Sequence, residues 1–384
     1  MTFDFTTPER IVFGMGCIQE LPGLVQPWGR RALVVVGRSM IRAEPHIAAL
    51  SEAGMEVTRL HVDGEPTVDA VRQGAERARC LESELVIGIG GGSVIDTGKA
   101  IAALTPNPGD PVDYLEVIGA AKPLLRPPLP FAAVPTTAGT GSEATRNAVL
   151  SSPQHRVKVS LRSPLLWPRL ALVDPSLTVG LPPHLTAATG LDALTQLLEA
   201  FVSVRANPMT DILCRHSLPR VASALPRAFE DGTCLEARSD LSLGALHSGM
   251  ALANAGLGAV HGLAGPLGGH CGAPHGALCA ALLAPVTAAN IQALRQRDPG
   301  SPILGRYAEV SRWIGTEKGE TPEALVGSLR ELVSRLGIPR LAHWGVTAAD
   351  LGDLIRKGQD SSSMKGNPIR LTDSELHGVI HGAL

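Results

Sequence analysis

A carboxylate at Asp192 and imidazoles at His261 and His275 are the side chains whose types and spacing best suit metal chemistry. Asp192 lies in Gly190-Leu191-Asp192-Ala193-Leu194-Thr195-Gln196, a helical run after Pro182-Pro183, and Gln196, four residues on, shares its face. His261 and His275 bracket a Gly/Pro-rich segment that runs from His261-Gly262-Leu263-Ala264-Gly265-Pro266 to Ala273-Pro274-His275-Gly276. One carboxylate with two imidazoles makes a three-donor catalytic set that leaves a coordination position for substrate. A divalent ion so held lowers the pKa of an alcohol while hydride leaves its carbon, or polarises a carbonyl in the reverse direction. Imidazoles at this spacing also serve as packed core side chains. The balance shifts toward a site because Leu241 to Leu294 contains no Asp, Glu, Lys or Arg yet holds His247, His261, His270 and His275, and buried imidazoles need partners.

Two further segments suit a dinucleotide. The strand-like run Leu85 to Ile89 leads into Gly90-Gly91-Gly92-Ser93, and a helical pattern with Asp96 and Lys99 on its first turns follows. Glycines between strand and helix let the backbone approach a diphosphate, and the N–H groups at the helix start attract its charge. The run matches neither GxGxxG nor the Walker pattern, and a simple tight turn is the alternative. After Phe131 to Val134, the segment Pro135-Thr136-Thr137-Ala138-Gly139-Thr140-Gly141-Ser142-Glu143 gathers hydroxyls and glycines at another strand end. Its alternative is a capping segment with Thr140 or Ser142 as N-cap. Val36-Gly37-Arg38-Ser39 ends the first strand without an acid, a pattern that leans toward NADP over NAD, although Arg38 also reads as a solvated loop charge.

The elements that must position these residues divide the chain in two. Ala32 to Val36, Val57 to Val62, Leu85 to Ile89 and Phe131 to Val134 alternate with helical patterns such as Val68, Val71, Ala75 and Ala78, which predicts βαβ units and a parallel sheet. Ala148 to Leu150 and Val157 to Leu161 flank Ser152-Pro153 as a hairpin, and Leu170 to Val173 adds a strand before Asp174-Pro175. Beyond Gly180 to Pro183, Leu- and Ala-rich helical patterns take over. The expected organisation is a dinucleotide-binding α/β domain at 1–180 and a helical metal and substrate domain at 181–384.

Composition narrows the function. With 384 residues, 44% hydrophobic and 18% charged, the chain is long enough for two globular cores. A net charge of −2 makes no electrostatic case for nucleic acid or an anionic membrane, which leaves small molecules as partners. Six cysteines without a CxxC pair, and an N-terminus without a signal-peptide pattern, lead to the expectation of free thiols and a cytoplasmic protein. The charge-free stretch is broken by Pro266, Pro274 and Pro285 and carries four histidines, so it reads as buried helices of a soluble domain and not as a membrane span.

Taken together, these motifs resemble the iron-dependent alcohol dehydrogenase family, within the wider group that includes glycerol dehydrogenase and dehydroquinate synthase. The resemblance spans nearly the whole chain. It rests on Gly90-Gly91-Gly92-Ser93 with Asp96 and Lys99, Pro135 to Glu143, Asp174-Pro175, Gly190 to Leu194, the His261 to His275 block with Pro266-Leu267-Gly268, and Met364-Lys365-Gly366-Asn367-Pro368. It implies a Rossmann-like N-terminal domain and an all-α C-terminal domain, with NAD or NADP and a divalent ion, iron or zinc, in the cleft between them. It also implies a homodimer or higher homo-oligomer, cofactor contacts at Thr136 and Thr137, and Lys158 near the nicotinamide end.

The departures from the family pattern are as informative. That pattern supplies an Asp, a His four residues later and two further His, whereas this chain has Asp192, Gln196, His261 and His275. An amide oxygen is a poorer donor than imidazole, so Gln196 is expected either as a weak ligand or as a group behind a three-ligand site. Gly265 stands where the family commonly carries a histidine, and His270 is the candidate substitute for proton exchange, with packing as its alternative. Metal-independent maleylacetate reductases are the rival subgroup, echoed in Arg10-Ile11-Val12-Phe13-Gly14, but the retained Asp192 favours a metal. A lyase of the dehydroquinate synthase kind and a non-catalytic dinucleotide-binding protein rank below. The expected function is reversible hydride transfer between an alcohol carbon and nicotinamide C4.

Overall fold

The computed structural model describes residues 2–37, 42–155, 157–314 and 319–384, so Arg38 and Ser39, two of the expected cofactor residues, lie outside the described residues. The chain forms two units, an α/β unit of Thr7–Thr137 with Gly141–Val179 and a helical unit of Gly180–Leu384 with Met1–Thr6 and Ala138–Thr140. The sequence suggests a single break near 180; the structure also assigns two short segments to the helical unit. Both are tied down within it. Thr6 and Asn254 exchange hydrogen bonds of 2.8 and 2.9 Å, and Gly139 packs against Thr189.

The α/β unit contains β1 (Arg10–Phe13), β2 (Arg31–Val36), β3 (Glu56–His61), β4 (Leu85–Gly90), β5 (Phe131–Pro135), β6 (Asn147–Ser152), β7 (Val157–Arg162) and β8 (Leu170–Val173). Six of them form one parallel sheet in the order β1-β8-β5-β4-β2-β3, and β6 with β7 is the expected antiparallel hairpin. The period-2 alternation of a strand explains the two cores. Leu33, Val35 and Val86 join one cluster with Val71 and Ile101, while Val34, Val36, Ile87 and Ile89 join another with Leu21, Ile47 and Leu50. Helices α1 (Leu21–Val25) and α2 (Glu44–Glu52) therefore cover one face, and α3 (Val68–Cys80) and α4 (Gly92–Leu104) the other. The strand at Arg10–Phe13 is a finding beyond the sequence reading, since an edge strand is too little buried to carry a strong hydrophobic pattern.

In the helical unit, α5 (Pro183–Val202) is the spine: every residue from Thr186 to Val202 except Thr189 is buried. A first core joins it to α6 (Pro208–Glu230), α7 (Leu235–Ala255), α9 (His275–Arg297), α10 (Pro302–Ile314) and α11 (Pro322–Arg335). A second joins α8 (Ala259–Cys271) to α9, α12 (Leu351–Asp360) and α13 (Asp373–Ala383). The charge-free stretch is thus most of α7 with α8 and most of α9. Among the described residues α9 alone is long and apolar enough to cross a membrane, and 72% of its apolar window is buried against its neighbours.

Candidate metal centre

A helix buried on all sides carries polar residues only where they have a task. On α5 those residues include Asp192, Gln196 and Glu199, spaced i, i+4, i+7 along one face. His261 is the third residue of α8. That helix ends at Gly272, whose left-handed φ of 68° turns the chain through Ala273-Pro274 so that α9 begins at His275. Cys279, one turn along α9, shares the face of His275.

These three helices bring Asp192, His261, His275 and Cys279 together, with one donor atom from each lying within 4.8 Å of the others. His261 Nε2 is 3.2 Å from Asp192 Oδ1, and His275 Nε2 is 3.9 Å from the same oxygen. Cys279 Sγ is 3.6 Å from both ring nitrogens. Around a tetrahedral ion with bonds of about 2.0–2.3 Å, neighbouring donors are separated by roughly 3.3–3.6 Å. The donor set therefore fits a divalent ion, with the His261 and Cys279 separations near that spacing and the 3.9 Å from His275 Nε2 to Asp192 Oδ1 the widest of those given. Asp192 is 2% and His275 36% exposed by side chain, so the cluster is closed behind and open beside His275.

Close backbone approach and hydrogen bonds behind the donors hold this geometry. A Cβ at Gly276 would stand 2.3 Å from the Ala188 carbonyl oxygen, so only glycine lets the start of α9 sit against α5. Glu199 Oε2 is 2.6 Å from His261 Nδ1, and its Oε1 accepts from Val260 N–H at 2.7 Å. With Nδ1–H donating to Glu199, the Nε2 lone pair is free for a metal. Asn367 Oδ1 accepts from Ala259 N–H at 3.0 Å and, with the Val260 contact, satisfies the exposed amides at the start of α8.

The electrostatics are those of close-set acceptors that share protons. Burial opposes ionisation of Asp192, but the His261 hydrogen bond and the His275 charge outweigh it and hold the carboxyl below its ordinary value. Burial also works against a charged His261, yet Cys279, Asp192 and Glu199 keep its pKa well above the usual imidazole value. Cys279 likewise pushes His275 up to about 9.

One expectation narrows and another needs correction. Gln196 Oε1 accepts from Ser248 Oγ on α7 at 2.6 Å, a contact that suits the expected place behind a three-ligand site better than that of a ligand. His270 does not join the centre: nine residues along α8 from His261, about two and a half turns, carries it to the opposite side of the helix, where Nε2 lies 3.4 Å from Asp350 Oδ1. Sequence reasoning missed Glu199 and Cys279. Their signals were the i, i+7 spacing from Asp192 and the i, i+4 spacing from His275. A groove of about 710 Å³ between α9, α11 and α13, lined by Ala284, Gln292, Arg330 and Glu375, contains none of the four donors, so chemistry takes precedence over size in locating the centre.

In the α/β unit, Gly37 follows the last residue of β2, and Gly90 and Pro135 end β4 and β5, all at one edge of the sheet. The chain goes from β2 to β3 on one side and returns to β4 on the other, and ligands of such sheets bind at the strand ends where the order reverses. Gly91 is the N-cap of α4, Thr137 lies against it, and Thr136 N–H donates to Gly90 O at 2.9 Å. Gly92 and Ser93 open the helix. Asp96 is engaged elsewhere: it accepts from Val149 N–H at 3.0 Å and from Ser142 Oγ. Buried Lys99 donates to Ser142 O, Thr145 O and Asn147 O at 2.7–3.1 Å, so the pair fastens residues 142–149 to α4. Lys158, on β7, has its ammonium 3.0 Å from Glu65 Oε1.

The chain is similar to known proteins over nearly its whole length. Residues 8–175 match the family described as iron-containing alcohol dehydrogenase, and residues 186–384 match the C-terminal part of the Fe-containing alcohol dehydrogenase family. Alcohol dehydrogenase 4 of Schizosaccharomyces pombe is 35% identical over 386 residues, covering 99% of this chain and 89% of that protein. Choline dehydrogenase of Bacillus subtilis is 32% identical, covering 98% and 93%. A crystal structure of a 1,3-propanediol oxidoreductase superposes with a TM-score of 0.91 at 31% identity, covering 100% of both chains.

Two outcomes follow. Glu199→Gln should weaken metal binding by about 10–100-fold with unchanged far-ultraviolet circular dichroism, and an unaltered metal affinity would remove Glu199 from the site. Because metal uptake displaces the proton that His275 carries below about pH 9, affinity measured by chelator competition should fall as the pH is lowered from that value, with proton release on binding. A pH-independent affinity would contradict the assignment.

Proposed function

Because the chain belongs to the iron-containing alcohol dehydrogenase family, we propose that Asp192, His261 and His275 are the metal-holding residues of an oxidoreductase that transfers hydride between an alcohol carbon and nicotinamide C4. The observation that carries this reading is the convergence of a carboxylate and two imidazoles within one buried cluster. The family uses a nicotinamide cofactor and a divalent metal, and its substrates are small alcohols or aldehydes. When bound, the ion supplies Lewis-acid polarisation of the reacting C–O group. The protein's own contribution is orientation: Glu199 keeps His261 in the tautomer that presents Nε2, and burial of Asp192 keeps competing water from its carboxylate. The metal-independent alternative is not favoured, since it has no use for this convergence.

For the cofactor we assign Gly37, Gly90, Gly91, Gly92, Ser93, Thr136 and Thr137 to the diphosphate and its approaches. Support comes from the amides at the start of α4 and the reversal of strand order beside them. Asp96 and Lys158 are left with the partners described above, Ser142 with Val149 and Glu65. The absence of an acid in Val36-Gly37-Arg38-Ser39 supports NADPH over NADH. Six cysteines that are all free support a reducing compartment and a cytoplasmic site of action, while assembly as at least a homodimer rests on family membership alone.

Replacing His275 with alanine should reduce bound metal to less than about a tenth and abolish aldehyde reduction together with it. Elemental analysis beside a reductase assay checks this, and full activity in the variant would sink the metal reading. Arg38→Ala should raise KM for NADPH at least about tenfold while leaving NADH nearly unchanged; equal effects on the two cofactors would remove the NADPH assignment.

A further inference from the structure

Four ligands are expected from the family pattern, yet the position four residues after Asp192 is Gln196, a neutral amide whose oxygen accepts from Ser248 Oγ. The fourth donor that reaches the cluster comes from α9 instead. Cys279 Sγ stands 3.6 Å from His261 Nε2 and 3.6 Å from His275 Nε2, the separation expected of roughly 3.5 Å between sulfur and nitrogen on a tetrahedral zinc. We propose that Cys279 is a metal ligand that replaces the missing histidine, that the resulting Asp-His-His-Cys set selects zinc over ferrous iron, and that the substrate oxygen would join it as a fifth donor. This inference rests on the reading that the centre holds a divalent ion, and goes beyond it in donor set and metal.

Three physical arguments support the exchange. Position comes first: Cys279 is one turn beyond His275 on α9, so the geometry that aims the imidazole at Asp192 aims the thiol as well. Charge is the second. A carboxylate, a thiolate and two neutral imidazoles make a divalent centre neutral, whereas a carboxylate with three imidazoles leaves a positive charge, which costs more in a buried site. The third is softness, because a thiolate favours zinc and disfavours the hard-donor chemistry of ferrous iron. On binding, bonds from Sγ and the two Nε2 atoms to the metal replace their bonds to the protons shared among them, and those protons leave to solvent with no change in oxidation state. Cys271, by contrast, spends its thiol on Leu267 O at 3.1 Å, as an ordinary helical cysteine does.

Cobalt substitution of the full-length protein tests this without reference to turnover. The cobalt-loaded wild type and Cys271→Ser should both show the near-ultraviolet thiolate-to-cobalt charge-transfer band, and Cys279→Ser should lack it. The wild-type spectrum decides even if the Cys279 variant does not fold. About one cobalt per chain without the band would overturn the ligand assignment while leaving the metal reading intact; failure to bind cobalt or zinc at all would overturn both. Under anaerobic competition between zinc and ferrous ions, the wild type should retain a zinc-to-iron ratio at least about tenfold above that of Cys279→Ser, and equal ratios would overturn the selectivity.

Discussion

One buried carboxylate, Glu199, sets the geometry on which the metal centre depends. Its two oxygens reach the Val260 amide and the His261 Nδ1 at 2.7 and 2.6 Å, so one side chain on α5 fixes both where α8 starts and which nitrogen of its histidine faces Asp192. A negative charge at a helix N-terminus is favourable in itself, and here it also completes the donors of an imidazole. Asn367 extends the arrangement. It accepts from Ala259 N–H, exchanges hydrogen bonds with Asn290 on α9 at 3.2 and 2.7 Å, and thereby ties the Met364–Pro368 segment to the two helices that carry the histidines.

Seen this way, the charge-free stretch has a physical reason. Helix α9 contributes to both cores and α8 buries its first turns in one of them, and an unpaired ion there would cost more than the fold can absorb. Polar groups in the stretch find partners on neighbouring helices, as His261 does with Glu199 and Asp192. The α/β unit follows the same rule with different residues: buried Lys99 and half-buried Asp96 find their partners in the hairpin segment they fasten.

Much of this was legible in the sequence. Strands β2 to β8 follow from apolar runs and turn residues, and Asp192, His261 and His275 from their types and their charge-free setting. Glu199 and Cys279 were not, because a glutamate in a Leu/Ala helix reads as a solvated charge and a cysteine in an Ala/Leu run as a small apolar residue. Which face of α5 meets α8 and α9 is a tertiary fact, decided by approaches as local as Gly276 against Ala188. His270 erred the other way. It belongs to the same histidine-rich stretch, yet helical periodicity sends it to the far side, toward Asp350.

The account stands or falls on whether this cluster holds an ion. Elemental analysis of the protein purified without added chelator, paired with its rate of aldehyde reduction before and after complete metal removal, is the most direct test. The structure predicts about one divalent ion per chain and loss of reduction when it is stripped. A metal-free protein that reduces aldehydes at its full rate would contradict it.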